Sequence, residues 1–300
     1  MKSGMVAIVG RPNVGKSTLL NYLAGEKVAI VSPVPQTTRH QIRAIINDVR
    51  GQVVFCDTPG LQTSRHALDR AMVGLINDSV EGADVILHIV DVSKHVGEEE
   101  EAAVQRLHRA RAPVILGLNK VDLPAQYISE YVSLWERALG RPVSGATDRL
   151  MPVPMSAIKG TNIDKLVEEI FARLPEGEAL YPADVLTDFP RQLAVQDVIR
   201  EKLLFLLREE LPFSLAVLAE EIVDRSEKLT YVKATIFVER ETQKAIAIGK
   251  NGAILKKAGE SARKELQDIY GKKFFLDLWV KADKKWKEDR ELLQRMGYLV

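Results

Sequence analysis

The apolar positions of the chain follow two successive patterns. From residue 5 to about residue 174, short β-rich runs alternate with stretches whose apolar residues recur at helical spacing. The runs cover 5–9, 41–47, 51–56, 83–90, 113–118 and 150–155, and the helical stretches cover 18–24, 69–80, 98–109, 127–139 and 163–174. Runs 83–90 and 113–118 are continuously apolar, as strands buried on both faces are. The alternation predicts an α/β domain whose mostly parallel sheet is covered by helices on both sides.

The rhythm breaks at residues 174–190, which hold Pro175, Gly177, Pro182 and Pro190 and read as a linker. Beyond it the spacing predicts a helix over 193–209, paired strands over 214–223 and 231–239 and a short helix over 241–247. A helix over 253–270, a strand over 274–281 and a last helix over 284–295 follow. The order is that of a smaller α+β domain. The expected division is 1–175, a linker over 176–190, and 191–300, in keeping with the length prior for 300 residues.

Composition narrows the function classes. With 46% hydrophobic and 28% charged residues the chain reads as soluble and globular, and a net charge of +1 says nothing about partners. Its single cysteine, Cys56, excludes an internal disulfide framework and a cysteine cluster for zinc. Histidines 40, 66, 88, 95 and 108 have no metal-binding spacing and read as surface or core residues. No apolar stretch approaches the roughly 18 residues of a membrane span, and the first ten residues lack a signal-peptide layout. A cytoplasmic protein is expected, unless it rides on a surface.

Candidate chemistry starts where the first run ends. Gly10-Arg11-Pro12-Asn13-Val14-Gly15-Lys16-Ser17 fits the phosphate-binding pattern G-x-x-x-x-G-K-[ST], with a strand before it and a helix beginning at Thr18 after it. Gly10 and Gly15 let backbone N–H groups turn inward, Lys16 reaches the β and γ phosphates, and the Ser17 hydroxyl can ligate Mg2+. The helix N-terminus favours the negative charge. Run 51–56 delivers Asp57-Thr58-Pro59-Gly60, an acidic residue at a strand end where a nucleotide site wants support for Mg2+. Run 113–118 delivers Asn119-Lys120-Val121-Asp122. A carboxylate there can accept from guanine's N1–H and exocyclic amine, a donor pair that adenine lacks, and an unpaired buried polar group costs about 1–3 kcal/mol. Lys120 can lie over the base and Asn119 can tie this loop to the phosphate loop. The amides of Ser156-Ala157-Ile158-Lys159-Gly160 are expected to meet the base's O6. Glu98 to Glu101 read as a solvated helix start, favoured by the helix dipole.

In the second domain Gly249-Lys250-Asn251-Gly252 fits the G-x-x-G loop of a KH domain, which clamps a single-stranded nucleic-acid backbone. Between Arg240 and Lys273 there are nine Lys or Arg against four Asp or Glu, so the positive charge is local to this loop. Lys256, Lys257, Arg263 and Lys264 are the expected phosphate neighbours, and Ile248, Ala253 and Ile254 the floor of the groove. Trp279 and Trp286 read as core or interface residues.

Five motifs in order, GRPNVGKS, Thr37-Thr38-Arg39, DTPG, NKxD and SA, resemble those of the translation-factor branch of P-loop GTPases. With the KH-type loop, the whole chain resembles the bacterial Era-like GTPases that carry a C-terminal, type II KH domain. The resemblance implies binding of GTP and GDP by Gly10, Asn13, Val14, Gly15, Lys16, Ser17, Thr18, Thr37, Asp57, Asn119, Lys120, Asp122, Ser156, Ala157 and Ile158. It implies Mg2+ on Ser17, Thr38 and, through water, Asp57. Thr38 is preferred to Thr37 because it directly precedes Arg39. Catalysis falls to Lys16, Asn13, Thr38 and Gly60, whose N–H can reach the γ-phosphate. Leu61 stands where Ras-like enzymes carry the glutamine that orients water, and Gln62 is one place on. A K+ ion near the phosphates, held partly by Asn13, is implied as the missing positive charge.

The resemblance further implies binding of 16S ribosomal RNA near its 3′ end through Ile248 to Gly252, Lys256, Lys257 and Arg263. A role in 30S subunit assembly, a peripheral inner-membrane contact and a monomer are implied with it. Three other readings remain open. They are a GTPase of transfer-RNA modification, an RNA-binding protein whose nucleotide is only structural, and a membrane-associated protein with a basic surface.

Overall fold

A computed structural model of the chain describes residues 1–34, 37–60, 66–143 and 149–299. They fall into two compact units. One comprises Met1–Ala29, Thr38–Thr63 and Met72–Asp188, and the other Ile30–Thr37, Ser64–Ala71 and Phe189–Val300. Pro35, Gln36, Leu61 and Gln62 lie outside the described residues.

The first unit is built on strands β1 (Lys2–Val9), β2 (Ile42–Asp48), β3 (Gly51–Asp57), β4 (Val85–Asp91), β5 (Val114–Asn119) and β6 (Leu150–Met155). Their order in the sheet is β2-β3-β1-β4-β5-β6, with β2 antiparallel to β3 and every other pair parallel. Residues of β3, β4 and β5 are buried throughout, as the unbroken apolar runs require of strands covered on both faces. The covering helices are α1 (Lys16–Ala24), α2 (Ala67–Glu81, begun in the second unit), α3 (Glu98–Leu107), α4 (Ile128–Leu139) and α5 (Ile163–Arg173). Chain order reverses around β1, so the loops leaving β1, β3 and β5 meet at one carboxyl edge, where open α/β sheets bind ligands. Register places Ile8 beside Asp57 and Asp91 beside Asn119.

The stretch expected to be a plain linker is strapped onto this unit. Buried Gln52 accepts from the N–H groups of Leu180 and Tyr181 at 2.8 and 2.9 Å and donates to the Tyr181 carbonyl at 2.8 Å. Ile45 N–H donates to the Leu186 carbonyl, and the Thr187 hydroxyl to the Arg43 carbonyl. The strap satisfies backbone groups of β2, the edge strand, that would otherwise offer themselves to another chain.

The second unit carries α6 (Arg191–Leu206), β7 (Ala216–Ser226), β8 (Leu229–Val238), α7 (Glu241–Ile248), α8 (Ala253–Tyr270), β9 (Lys273–Ala282) and α9 (Arg290–Arg295). Its sheet runs β7-β8-β9, antiparallel then parallel. Strand alternation sends Val232, Ala234, Ile236 and Phe274 into a core with Ala258, Ala262 and Leu266 of α8 and Ile199 and Leu203 of α6. The last helix is shorter than the expected 284–295. Trp286 is fully buried with its indole N–H on the Ser214 carbonyl, which holds the chain in turns until Asp289 caps α9 by accepting from Leu292 N–H. Trp279, by contrast, is 60% exposed and not a core residue.

Candidate nucleotide site and nucleic-acid interface

The phosphate loop leaves β1 and closes onto α1 at Gly15, whose φ of 106° lies outside the range L side chains adopt readily. A Cβ there would also stand 2.3 Å from Asn119 Nδ2. Glycine is required on both counts. Lys16 is buried and donates to the Gly10 and Arg11 carbonyls, each at 2.9 Å, so it lies back along the loop. Burial lowers its pKa to about 8, against the opposing pull of Asp57.

Ser17, Thr38 and Asp57 come together. The Ser17 hydroxyl donates to Asp57 Oδ2 at 2.7 Å and lies 2.9 Å from the Thr38 hydroxyl. Asp57 is fully buried; burial pushes its carboxyl up, against Lys16 and the hydrogen bonds from Ser17 and Thr38. Among the described residues its Oδ1 is a buried oxygen without a hydrogen-bond partner. A buried carboxylate oxygen with two hydroxyls beside it is a donor set for a hard divalent cation. These residues therefore fit Mg2+. No cluster of three or more His, Cys, Asp or Glu able to hold a metal occurs among the described residues, so other ligands to the ion would come from phosphate and water. Thr37 belongs to the second unit, and its hydroxyl is engaged with the Ser32 hydroxyl and the Val34 carbonyl at 2.6 Å each. Gly60 approaches the phosphate loop so closely that a Cβ would stand 2.6 Å from Pro12 Cγ.

The base-side loops are joined as expected for Asn119. Its Nδ2 donates to the Val14 carbonyl at 2.6 Å, and its Oδ1 accepts from Ala157 N–H at 2.9 Å. The Ala157 amide is thus engaged by Asn119 in this structure. Ile158 beyond it is 72% exposed and Ser156 is buried. Lys120, at φ 71°, donates to the Asn13 carbonyl at 2.9 Å and to Asp91 at 2.6 Å. Asp122 is exposed.

Two supporting groups escaped the sequence reading. Burial opposes the charge on Asp91, but hydrogen bonds from Lys120 and Ser93 outweigh it and hold the carboxyl below the usual range. It ends an apolar strand as Asp57 does, and that signal could have found it. Glu100, expected to be solvated, is buried. It accepts two bonds from Arg11 of the phosphate loop, at 3.0 and 2.9 Å, and one from Gly97 N–H. Arg11 also pairs with Glu99. Nothing in the spacing of Arg11 and Glu100 signals this pairing.

In the second unit Gly249 to Gly252 form the connection between α7 and α8, with φ of 75° at Gly249, 53° at Asn251 and 76° at Gly252. Lys250, Asn251, Lys256, Lys257, Arg263 and Lys264 are exposed, while Ile248 and Ile254 are half-buried and Ala253 is exposed. A loop of three positive-φ residues opening a helix with four exposed cations presents backbone N–H groups and charge to a phosphate chain.

Fold and sites define a P-loop GTPase domain followed by a KH domain. The family of 50S ribosome-binding GTPases matches residues 5–120, and the KH-domain family matches residues 212–287. The GTPase Era of Halothermothrix orenii is 44% identical over 298 residues, covering 99% of this chain and 98% of that protein. Its counterpart from Carboxydothermus hydrogenoformans is 42% identical over 298 residues, with 99% and 98% covered. A crystal structure of an Aquifex aeolicus Era variant bound to GDP and AlF4− is 39% identical, covers both chains fully and superposes with a TM-score of 0.90. A structure of Era with MgGDPNP and nucleotides 1506–1542 of 16S ribosomal RNA, also 39% identical with both chains fully covered, gives 0.91. The chain belongs to the Era family of GTPases.

Proposed function

We propose that this GTPase binds 16S ribosomal RNA near its 3′ end through its KH domain and acts in assembly of the 30S subunit. The observation that carries the reading is the pairing, in one chain, of the Ser17–Thr38–Asp57 cluster with the basic Gly249–Gly252 loop. The 16S fragment held by the full-length relative is RNA of the small subunit, which favours the 30S particle. On this reading residues 1–175 bind nucleotide, 176–190 connect and 191–300 bind RNA.

Gly10, Asn13 to Thr18 and Thr37 bind the phosphates, and Asn119, Lys120, Asp122 and Ser156 to Ile158 bind guanine. Ser17, Thr38 and Asp57 would hold Mg2+, which neutralises phosphate charge when bound. Lys16 swings from the Gly10 and Arg11 carbonyls to the β and γ phosphates and neutralises charge that develops in transfer. Gly60 N–H donates to the γ-phosphate, so its loss releases the segments bearing Thr38 and Gly60. Asn13 would help hold a K+ ion, which would supply positive charge there, a service worth roughly 10³–10⁵ in rate when an arginine performs it. Ile248 to Gly252 with Lys256, Lys257 and Arg263 grip the RNA backbone.

The protein works as a monomer in the cytoplasm, with a peripheral inner-membrane contact. No described helix is long and apolar enough to cross a membrane. The transfer-RNA modification reading wants a reactive cysteine, and burial pushes the Cys56 thiol up to about 11, leaving it protonated at neutral pH.

Crosslinking in cells followed by sequencing of bound RNA tests the proposal. Reads are expected at the 3′ end of 16S RNA and in 30S precursors, and Gly249→Asp with Gly252→Asp should abolish them. A scattered messenger-RNA profile would overturn the assembly role.

A further inference from the structure

The face of the β7–β8–β9 sheet that points away from α6 and α8 carries aromatic residues, exposed at Phe275 and Trp279 of β9 and buried at Phe237 of β8. Alternation puts Tyr231, Lys233, Thr235 and Phe237 of β8 on it, beside Phe275, Asp277, Trp279 and Lys281 of β9 in register. Phe275 is 56% exposed and Trp279 60% exposed, and the Tyr231 and Phe275 rings stack with centroids 5.9 Å apart. Tyr231, Phe237 and Trp279 line an open depression of about 850 Å3, with Phe275 next to Tyr231. Large aromatic side chains left exposed in one patch mark an interaction surface.

Charge selects the partner. Six carboxylates line the depression, Glu220, Glu221, Asp277, Asp283, Asp289 and Glu291, against three cations, Lys233, Lys281 and Arg295. The excess is negative, opposite in sign to the stretch around the G-x-x-G loop of the same domain. A phosphate chain would be repelled here, although the rings alone would suit stacked bases. The face already holds cations over its rings. The Arg225 guanidinium lies 4.2 Å from the Tyr231 ring centroid, and Lys281 Nζ lies 5.5 Å from that of Phe237. Trp is the best ring for such a contact, and arginine, planar and weakly hydrated, both stacks on it and pairs with carboxylates.

We propose that this sheet face docks an extended, arginine-rich protein segment, with arginine side chains over Trp279 and Phe275 and paired to Asp277 and Glu221. The domain then grips an RNA backbone at its basic loop and a basic protein at its acidic face. The protein site does not depend on the nucleotide or the RNA.

The probe is a fluorescein-labelled peptide of alternating arginine and glycine, about ten residues long to match the ten of β9, titrated against the full chain. The peptide is expected to bind, to reduce acrylamide quenching of Trp279, and to bind about tenfold more tightly than its lysine counterpart. Phe275→Ala with Trp279→Ala should weaken binding about tenfold or more, as should Asp277→Asn with Glu221→Gln, while a 16S 3′-end oligonucleotide binds as before. Trp135 and Trp286 are buried and report that each variant is folded. Equal binding by wild type and the aromatic variant would overturn the proposal. So would protection of Trp279 by the oligonucleotide, or self-association of the chain that the aromatic variant abolishes.

Discussion

Asn119 Nδ2 donates to the Val14 carbonyl at 2.6 Å while the same amide's Oδ1 accepts from Ala157 N–H at 2.9 Å. One buried side chain thereby fixes three loops, those following β1, β5 and β6. Asn119→Ala leaves a buried carbonyl and a buried N–H unpaired, at about 1–3 kcal/mol each. Thermal melting should register the loss, and calorimetric titration should show GDP binding weakened tenfold or more, about 1.4 kcal/mol. A variant that melts and binds as wild type would contradict this role.

Arg11 divides its guanidinium between exposed Glu99 and buried Glu100. The Glu100 partnership is the stronger because both carboxylate oxygens are used and that carboxylate is out of water, whereas Glu99 is half exposed and screened. Glu100→Ala should destabilise more than Glu99→Ala, and an Arg11–Glu100 double-mutant cycle should return a coupling of about 1–2 kcal/mol. Equal losses from the two glutamate substitutions in chemical denaturation would refute the ranking.

His88 is buried in β4 and accepts from the Trp135 indole N–H through Nδ1 at 3.3 Å. Burial, with the Lys16 charge second, lowers its pKa to about 3. Below the ordinary value near 6.5 the unfolded chain takes up a proton that the folded chain cannot hold, so stability falls as acid is added. The slope is at most about 1.4 kcal/mol per pH unit, or about 2 kcal/mol between pH 7 and 5. Urea melts at the two pH values should lose that difference in His88→Gln, which keeps an acceptor and cannot titrate. An unchanged pH dependence would exclude His88 as its source.

Gly249 and Gly252 have nearly the same φ, 75° and 76°, but different surroundings. A Cβ at Gly249 would stand 2.8 Å from Ile254 Cγ1 and 2.9 Å from its backbone N, whereas at Gly252 nothing lies within 4 Å. Gly252→Ala should cost only the left-handed backbone penalty, about 1–2 kcal/mol. Gly249→Ala should cost more and displace the start of α8. Amide exchange across α7 and α8 would show a wider loss of protection for Gly249→Ala; the reverse order would count against the close packing.

What was legible in the chain follows from where the physics is local. Gly15, Lys16, Ser17, Asp57 and Asn119 stand in short motifs of fixed spacing, the pattern that the proposed phosphate and base contacts would impose on single loops. The strands were readable because burial on both faces writes unbroken apolar runs, as in β4 and β5. Partnerships across long stretches of chain were not. Glu100 looked like any first-turn glutamate until Arg11, 89 positions earlier, met it. Gln52 gave no sign that it would anchor residues 180 and 181, because a glutamine in a strand is equally a surface residue. The helix expected over 284–295 failed because Trp286 reaches the Ser214 carbonyl, a tertiary contact that overrides helical spacing.

The choice of guanine by the loop Asn119 to Asp122, with chemistry that depends on Lys16, is the claim on which the rest of the account stands. Multiple-turnover phosphate release measured with GTP and with ATP under the same Mg2+ and KCl tests it most directly. The account predicts turnover of GTP, none of ATP above background, and loss of GTP turnover in Lys16→Ala. Equal release from the two nucleotides, or a Lys16→Ala variant that turns over GTP as the wild type does, would contradict it.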